Sequence, residues 1–176
     1  MQKKTNYIID GRLEGDLTTL LHGATVRAQE PVVPTEEFLA SLAEDDRAAF
    51  ESLSSMLSEG RFADLIDFIP TWGKDTSDFR NVDPQAFALG TDGAGNYWLL
   101  CRDGSVQCWG HDEGGHMEDH NSFSSLAEAM ECFVVVTAVR EKHLSLDEAR
   151  PRFADREEGG WTWHSELLEE WAEDEG

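Results

Sequence analysis

The sequence predicts a protein in which a central β-hairpin lies between two groups of helices. Three observations support this prediction. Apolar residues recur at helical spacing over residues 38–57, strands and tight turns alternate over residues 86–111, and helical spacing returns after residue 122. With 40% hydrophobic residues, including 9 Phe and 6 Trp, the chain has enough apolar material for a real core.

Charge is the most pronounced compositional feature of this 176-residue chain. It holds 36 Asp and Glu against 14 Lys and Arg, which gives a formal net charge of -22. Such a surface repels nucleic acid and anionic membranes and speeds encounter with basic partners. Acidity also keeps proteins soluble, but this excess goes well beyond that need. We therefore expect a basic protein partner, no direct contact with nucleic acid and no membrane binding.

The three cysteines, Cys101, Cys108 and Cys132, indicate a reducing compartment. Their number is odd and no C-x-x-C pair is present, so a disulfide framework is not expected. The apolar run before Asp10 is too short for a secretory signal, and the run over residues 132–139 is too short to span a bilayer. The sequence predicts a soluble, cytoplasmic protein.

Helices are predicted in the N-terminal half, after a glycine-punctuated segment, residues 7–33, in which short strands or turns are expected. Thr35 is suited to cap the first helix, and the apolar repeat from Phe50 to Leu57 defines the second. A further apolar stripe, Phe62 to Ile69, is grouped with these helices and is expected to end at Pro70.

A glycine turn and a hairpin follow a predicted loop over residues 71–83. Residues 91–96 supply two glycines for positive φ angles, and Asp103-Gly104 is typical of a two-residue hairpin turn. The turn predicts a register with these facing pairs: Arg102 and Ser105, Cys101 and Val106, Leu100 and Gln107, Leu99 and Cys108, Trp98 and Trp109.

This register divides the hairpin into two faces. One face carries Leu99, Cys101, Val106 and Cys108, and we interpret it as core. The other carries Trp98 and Trp109, for which we favour a cross-strand aromatic pair packed beneath a helix. An exposed aromatic anchor for a partner is the alternative.

The segment after the hairpin is predicted to be a polar loop over residues 111–120, followed by helices. Ser122 is expected to cap the next helix. Ser145 and Glu148 match a capping box, and the short helix that they open is expected to stop at Pro151.

The chain is predicted to hold one domain over residues 1–151 and an acidic, Trp-containing extension over residues 152–176. Trp161, Trp163 and Trp171 follow a charged linker at the spacing of an amphipathic helix or arm. This arm can pack on its own domain or on a second copy, so a homo-oligomer is one of two alternatives.

The polar loop over residues 111–120 is the candidate for metal chemistry, since imidazole and carboxylate groups can bind zinc. Its spacing matches no structural zinc motif, and we favour a hydrated acidic loop. The cysteines are predicted to be inert in apolar surroundings, and no phosphate-binding loop is present. We expect no catalytic residue, metal or cofactor. A metal-dependent enzyme is the alternative, with His111, His116 and His120 as its ligands.

Three blocks in the middle of the chain resemble the SUKH superfamily, also called Smi/Knr-like. The first, Phe87 to Leu100, contains Asp-Gly-Ala-Gly-Asn, and the second, Val106 to Glu113, contains Trp-Gly-His-Asp-Glu. The third, Ser122 to Leu126, begins with Ser-Phe and opens a predicted helix. The blocks occur in the order typical of the family and at close to its spacing.

The resemblance implies an α+β fold, in which a mainly antiparallel sheet with a central hairpin is packed by several helices. It implies no catalysis. Bacterial relatives are typically immunity proteins that bind toxin domains, many of which are basic nucleases, and eukaryotic relatives are regulatory or scaffold proteins. An acidic protein can occupy a nucleic-acid-binding cleft by presenting carboxylates where phosphates would lie.

We therefore expect an immunity protein that neutralises the toxin domain of a bacterial polymorphic or contact-dependent system. A non-catalytic regulatory or scaffold protein of the same fold is the alternative. The residues that we expect to contact the partner are Asp92, Trp109, His111, Asp112, Glu113, Glu118 and Asp119.

Overall fold

The computed structural model describes residues 8–9, 12–13, 34–58, 65–71, 79, 82, 85–111, 117–154, 156 and 159–174. This part of the chain forms an α+β fold, in which helices pack on an open, five-stranded antiparallel sheet. The α+β class and the mainly antiparallel sheet with a central hairpin, both predicted from the sequence, are confirmed.

Strands in the described residues form two antiparallel sheets. The smaller sheet pairs β1 with β2, in the segment for which short strands or turns were expected. The larger sheet is a meander, because each of its strands pairs with the next along the chain. The strands are β1 (Ile8–Ile9), β2 (Arg12–Leu13), β3 (Ile69–Pro70), β4 (Phe87–Thr91), β5 (Tyr97–Leu100), β6 (Val106–Trp109) and β7 (Met117–Phe123).

The helices of the described residues are α1 (Glu36–Ser41), α2 (Glu44–Ser58), α3 (Leu126–Arg140), α4 (Leu146–Phe153) and α5 (Gly160–Asp174). Two of the predicted caps are confirmed. Thr35 accepts a hydrogen bond from the Phe38 N–H (3.2 Å), and Ser145 and Glu148 form the capping box of α4. No helix within these described ranges is long and apolar enough to cross a membrane.

Helix α3 lies at the centre of the core. Its side chains from Cys132 to Ala138 are all buried, so the apolar side that the sequence indicated extends around the helix. The ring of Phe133 stacks on Phe68 (centroids 5.3 Å apart) and meets Trp98 (5.0 Å) and Phe123 (5.5 Å) edge-on. These aromatic contacts join the helix to the sheet and to the turn before β3.

Helix α5 packs on the same core through Trp161, His164 and Leu168, which are all buried. The Nδ1 atom of His164 lies 2.6 Å from the carbonyl oxygen of Gly160. Its Nε2 atom lies 3.2 Å from Oδ2 of Asp67, within ion-pair distance although the two groups are not aligned for a hydrogen bond. The C-terminal helix therefore contacts its own chain.

The central hairpin is present, but its predicted register is wrong by one residue. Leu100 faces Val106 and Trp98 faces Cys108. The turn is a three-residue loop: the Cys101 N–H donates to the Ser105 carbonyl (2.8 Å), and Gly104 has a φ of 89°. A loop of this length ends with a residue in the left-handed region, which Gly104 provides, whereas the predicted two-residue turn would need positive φ at Asp103 as well.

The shifted register places the two tryptophans on opposite faces of the sheet. Trp98 is buried under α3, and its indole N–H donates to the carbonyl of Asp67 (2.6 Å). Trp109 lies on the other face, so the predicted Trp98–Trp109 pair does not form. The part of the Trp98 prediction that holds is its position beneath a helix.

The apolar stripe that ends at Pro70 is not helical where it is described. Leu65 and Phe68 pair across a tight turn, and Asp67 within it has a φ of 57°. A left-handed residue at this position interrupts an α-helix. Ile69 and Pro70 then form β3, where a proline is tolerated because the strand lies at the edge of the sheet.

Three boundaries after the hairpin also differ from the prediction. The loop expected over residues 111–120 ends earlier, because β7 begins at Met117. Ser122 pairs with Gln107 in the sheet, and Ser125 caps α3 instead by accepting from the Glu128 N–H (3.2 Å). Pro151 lies inside α4, which continues for two residues beyond it.

Candidate partner-binding site

The turn between β4 and β5 is built by Asp92. Its Oδ1 accepts hydrogen bonds from the N–H groups of Ala94 (2.8 Å), Gly95 (3.1 Å) and Asn96 (3.1 Å), and its Oδ2 accepts from the Asn96 side-chain amide (2.7 Å). Gly93 and Gly95 take the positive φ angles that the sequence predicted for them. Asp92 therefore shapes this end of the sheet, since both of its oxygens are engaged inside the turn.

His111 joins the connection after β6 to the same turn. Its backbone N–H donates to Oδ1 of Asn96 (3.2 Å), and its Nδ1 lies 2.9 Å from that oxygen. The imidazole also covers Gly95, where an added Cβ would lie 3.1 Å from the ring. The structure thus brings together Asp92 and His111, two residues that the sequence analysis assigned to the site.

Trp109 belongs to a group of three rings on the sheet face opposite the helices. It stacks on Phe79 with ring centroids 4.2 Å apart and planes within 8° of parallel. Tyr97, its cross-strand partner, lies 6.3 Å from Trp109 and 5.0 Å from Phe79. We call Phe79, Tyr97 and Trp109 the aromatic cluster. All three are only half-buried, so the cluster presents aromatic surface to solvent.

The sequence analysis did not include Phe79 and Tyr97 in the site. Phe79 falls in the predicted loop over residues 71–83, and Tyr97 begins the predicted strand. The signal that could have found Tyr97 is the alternation of side chains along β5, read in the correct register. Phe79 is brought to the sheet only by tertiary packing, which no local pattern indicates.

Four more acidic residues were assigned to the site, and the structure describes at most the backbone of each. Asp112 and Glu113 lie outside the described residues, as does His116. Glu118 and Asp119 lie on β7, and their side chains are outside what the structure describes. Trp109 pairs with Met117, so the connection that carries Asp112 and Glu113 leaves and returns beside the aromatic cluster.

The described residues contain no group of histidine, cysteine and acidic side chains arranged to hold a metal ion. The three cysteines are free and buried. Burial raises the pKa of the Cys132 thiol well above its ordinary value, so this thiol is a poor nucleophile and metal ligand.

No protein-family model, curated protein or solved structure matches this chain. The resemblance to the SUKH superfamily therefore stays a prediction from the three sequence blocks.

Proposed function

We propose that this chain is a non-catalytic, cytoplasmic immunity protein that binds and neutralises a basic toxin domain. The observation that carries the proposal is the half-exposed aromatic cluster, whose Trp109 pairs with Met117 at the start of β7. Aromatic side chains are enriched among residues that dominate binding energy at interfaces, and carboxylates around them select a basic partner. The three blocks that resemble the SUKH superfamily support the same function.

Rigidity at this end of the sheet favours tight binding. The Asp92 turn, Asn96 and His111 are joined by hydrogen bonds, and Trp109 stacks on Phe79, which also contacts Tyr97. A surface that is ordered before binding loses less conformational entropy when the partner docks. The rings can then fill an apolar recess of the partner while Asp112, Glu113, Glu118 and Asp119 meet its basic rim.

Net charge explains how such a protein finds its target and blocks it. A chain with a net charge of -22 is steered towards a basic surface at rates that fall as salt rises. On a toxin that acts on nucleic acid, carboxylates that occupy phosphate positions exclude the substrate by competition. No covalent chemistry is needed for this inhibition.

The direct test is a co-expression rescue. The C-terminal domain of a large secreted protein encoded beside this chain is expressed with and without it, and growth and co-purification are scored. We expect rescue together with a stable complex whose affinity falls with salt. Growth arrest that this chain does not relieve, with no complex recovered, would contradict the proposal and favour a regulatory or scaffold role.

A matched pair of variants tests the location of the site. The first variant neutralises the connection and β7 through Asp112→Asn, Glu113→Gln, Glu118→Gln and Asp119→Asn. The control makes the same change in net charge at four exposed acids on α1, α2 and the end of α3, through Glu36→Gln, Glu37→Gln, Glu51→Gln and Glu141→Gln. We expect the first to lose protection and the control to keep it. Equal protection by both would reject this site.

A further inference from the structure

The three tryptophans of α5 have different surroundings, although they lie on one helix. Trp161 is buried, and the guanidinium of Arg156 lies 4.1 Å from its ring centroid. Trp171 is half-buried, and the guanidinium of Arg140 lies 4.9 Å from its ring centroid. Each of these two rings therefore has a cation of the same chain on its face, which is a favourable contact for an indole.

Trp163 lacks such a partner. It is 47% exposed, and every other large hydrophobic side chain whose burial is described is at least partly buried. No described residue places a ring or a cation on it. About half of this indole is therefore available to a partner, and tryptophan is enriched among the residues that dominate binding energy at interfaces.

Two carboxylates flank Trp163 on the surface of α5. Glu166 and Glu170 are exposed and follow it by three and seven positions, which places them within about 60° of it around the helix. No hydrogen bond or ion pair within the described part of the chain engages either carboxylate. The adjacent Glu169, by contrast, is bound by Arg150, with 3.1 Å between Nη2 and Oε2.

We propose that Trp163, Glu166 and Glu170 form a second docking surface, which receives an arginine or lysine side chain from a basic protein partner. The indole face takes the cation and the aliphatic stem, and the two carboxylates bind the charged head. This inference rests on the proposed function for the identity of the partner. It adds a contact surface on α5 that is separate from the aromatic cluster.

Charge complementarity favours a basic protein over the other candidate occupants. A second copy of this chain carries the same net charge of -22, and bringing it against a glutamate-rich helix face opposes like charges. An anionic membrane is disfavoured for the same reason. A basic protein satisfies both the ring and the carboxylates.

The first experiment needs no knowledge of the partner. The indole N–H signals of the full-length chain are followed by nuclear magnetic resonance during titration with an acetylated, amidated tri-arginine peptide, and Trp163→Phe assigns one of them. We expect the Trp163 signal to shift first and furthest, and less so in a Glu166→Gln/Glu170→Gln variant. A Trp163 signal that stays in place while other indole signals move would overturn the inference.

The second experiment uses the basic domain that co-purifies with the wild-type chain. Trp163→Ala is expected to raise its Kd by about tenfold or more, Trp163→Phe by less, and Thr162→Ala, an exposed neighbour on α5, not measurably. An unchanged Kd for Trp163→Ala would overturn the inference while the proposed function stands. If no domain binds the wild-type chain, the proposed function fails, and the peptide titration still decides whether this surface accepts a cation.

Discussion

The two faces of the five-stranded sheet differ in what covers them. One face carries Phe87, Leu89, Trp98, Leu100 and Val106, and side chains from all five described helices bury it in one continuous cluster. The other carries Ala88 and Leu99, which pack with Ala86 against Val82 and the half-buried aromatic cluster. Most of the apolar surface removed from water therefore belongs to the covered face, and with it most of the stability.

The proposed function assigns stability to one of these faces and recognition to the other. The aromatic side chains that the described strands place on the covered face, Phe87, Trp98 and Phe123, are all buried. On the opposite face Tyr97 and Trp109 both pack against Phe79, while part of each ring stays in water. If this separation is correct, substitutions on the covered face will lower stability, and substitutions in the aromatic cluster will lower affinity.

The largest effect is expected at Phe133, which lies where α3 meets the sheet. Phe133→Ala removes the ring that contacts Phe68, Trp98 and Phe123, and it should lower the free energy of unfolding by about 3–5 kcal/mol. Trp109→Ala, on the other face, should cost about 1–2 kcal/mol because its ring is half-exposed. Urea denaturation of the two variants measures the difference. Equal losses of unfolding free energy in the two variants would contradict the difference between the faces.

The next largest effect is expected at Gly104, which is compared with Gly93 at the opposite end of the sheet. Gly104→Ala and Gly93→Ala both place a side chain at positive φ, which costs about 1 kcal/mol or more. At Gly104 the new Cβ also collides with the carboxylate of Asp46 on α2, whereas at Gly93 its nearest neighbour is a flexible methyl of Ile69 at 3.5 Å. We expect a loss of at least about 2 kcal/mol for Gly104→Ala and a smaller loss for Gly93→Ala.

Those two losses are compared by thermal denaturation of each variant beside the wild-type chain. Combining Gly104→Ala with Asp46→Ala should recover part of the loss at Gly104, because the colliding carboxylate is gone. If the double variant is less stable than the two single losses added together predict, the collision with Asp46 is not the cause of the loss at Gly104.

A smaller effect is expected at Asp46, which joins α2 to the first turn of α3. Its Oδ1 accepts from the Leu126 N–H (3.1 Å), so Asp46→Ala should cost about 1–2 kcal/mol by leaving that buried donor unpaired. Burial raises the pKa of the Asp46 carboxyl, with added repulsion from Asp45, although the Leu126 N–H opposes the shift. The ionised form is therefore disfavoured in the folded state.

The pH dependence at Asp46 follows from the direction of that pKa shift. Because the folded-state pKa is the higher one, ionisation of Asp46 lowers stability at neutral pH, and this cost disappears as pH falls through the folded pKa. Asp46→Asn keeps an acceptor without the charge, so it should match or exceed the wild-type stability at pH 7. Its advantage should shrink as pH is lowered towards 4. An advantage that grows on acidification would contradict the burial effect.

The smallest effect is expected at the capping box of α4, at the edge of the covered face. Ser145→Ala removes the acceptor for the Glu148 N–H (3.3 Å) and should cost about 1 kcal/mol or less. Hydrogen bonds from Ser145 lower the pKa of Glu148, so the part of the capping box that the Glu148 carboxylate supplies is present at neutral pH and is lost as pH falls through the lowered pKa. The measurement is the free energy of unfolding of Ser145→Ala and of the wild-type chain at decreasing pH, with Thr162→Ala as a surface control.

Local chemistry allowed the sequence to predict several elements correctly. Thr35 and Ser145 cap helices because a side-chain oxygen at that position satisfies an N–H of the first turn. The glycines after Asp92 predict their turn for an equally local reason, since few other residues adopt positive φ. The helical core was predicted in part: the spacing in α3 indicated one apolar side, and burial on all sides became visible only with the sheet and α5 in place.

The wrong predictions depend on contacts between distant residues. Asp103-Gly104 fits either a two-residue or a three-residue loop, and Gly104 packs against Asp46 of α2, about which the hairpin sequence says nothing. One residue of shift then placed Trp98 and Trp109 on opposite faces instead of on the same face. Three serines precede α3, and Ser122 is unavailable as its cap because it is paired in the sheet.

The same limit applies to the candidate site. The sequence selected Asp92, Trp109 and His111 from the turn and from the family-like blocks, and the structure brings the Asp92 turn and His111 into contact through Asn96. Phe79 and Tyr97, which hold Trp109, were missed because their meeting depends on the register and on a long loop. Acidic residues were easier to select than the rings of the aromatic cluster, since charge is visible in composition.

The measurement that tests the separation of the two faces most directly is protection by Trp109→Ala in the co-expression assay, with its folding checked by circular dichroism. The account predicts a folded variant that no longer rescues growth and no longer co-purifies with the basic domain. A folded Trp109→Ala chain that protects as well as wild type would contradict it.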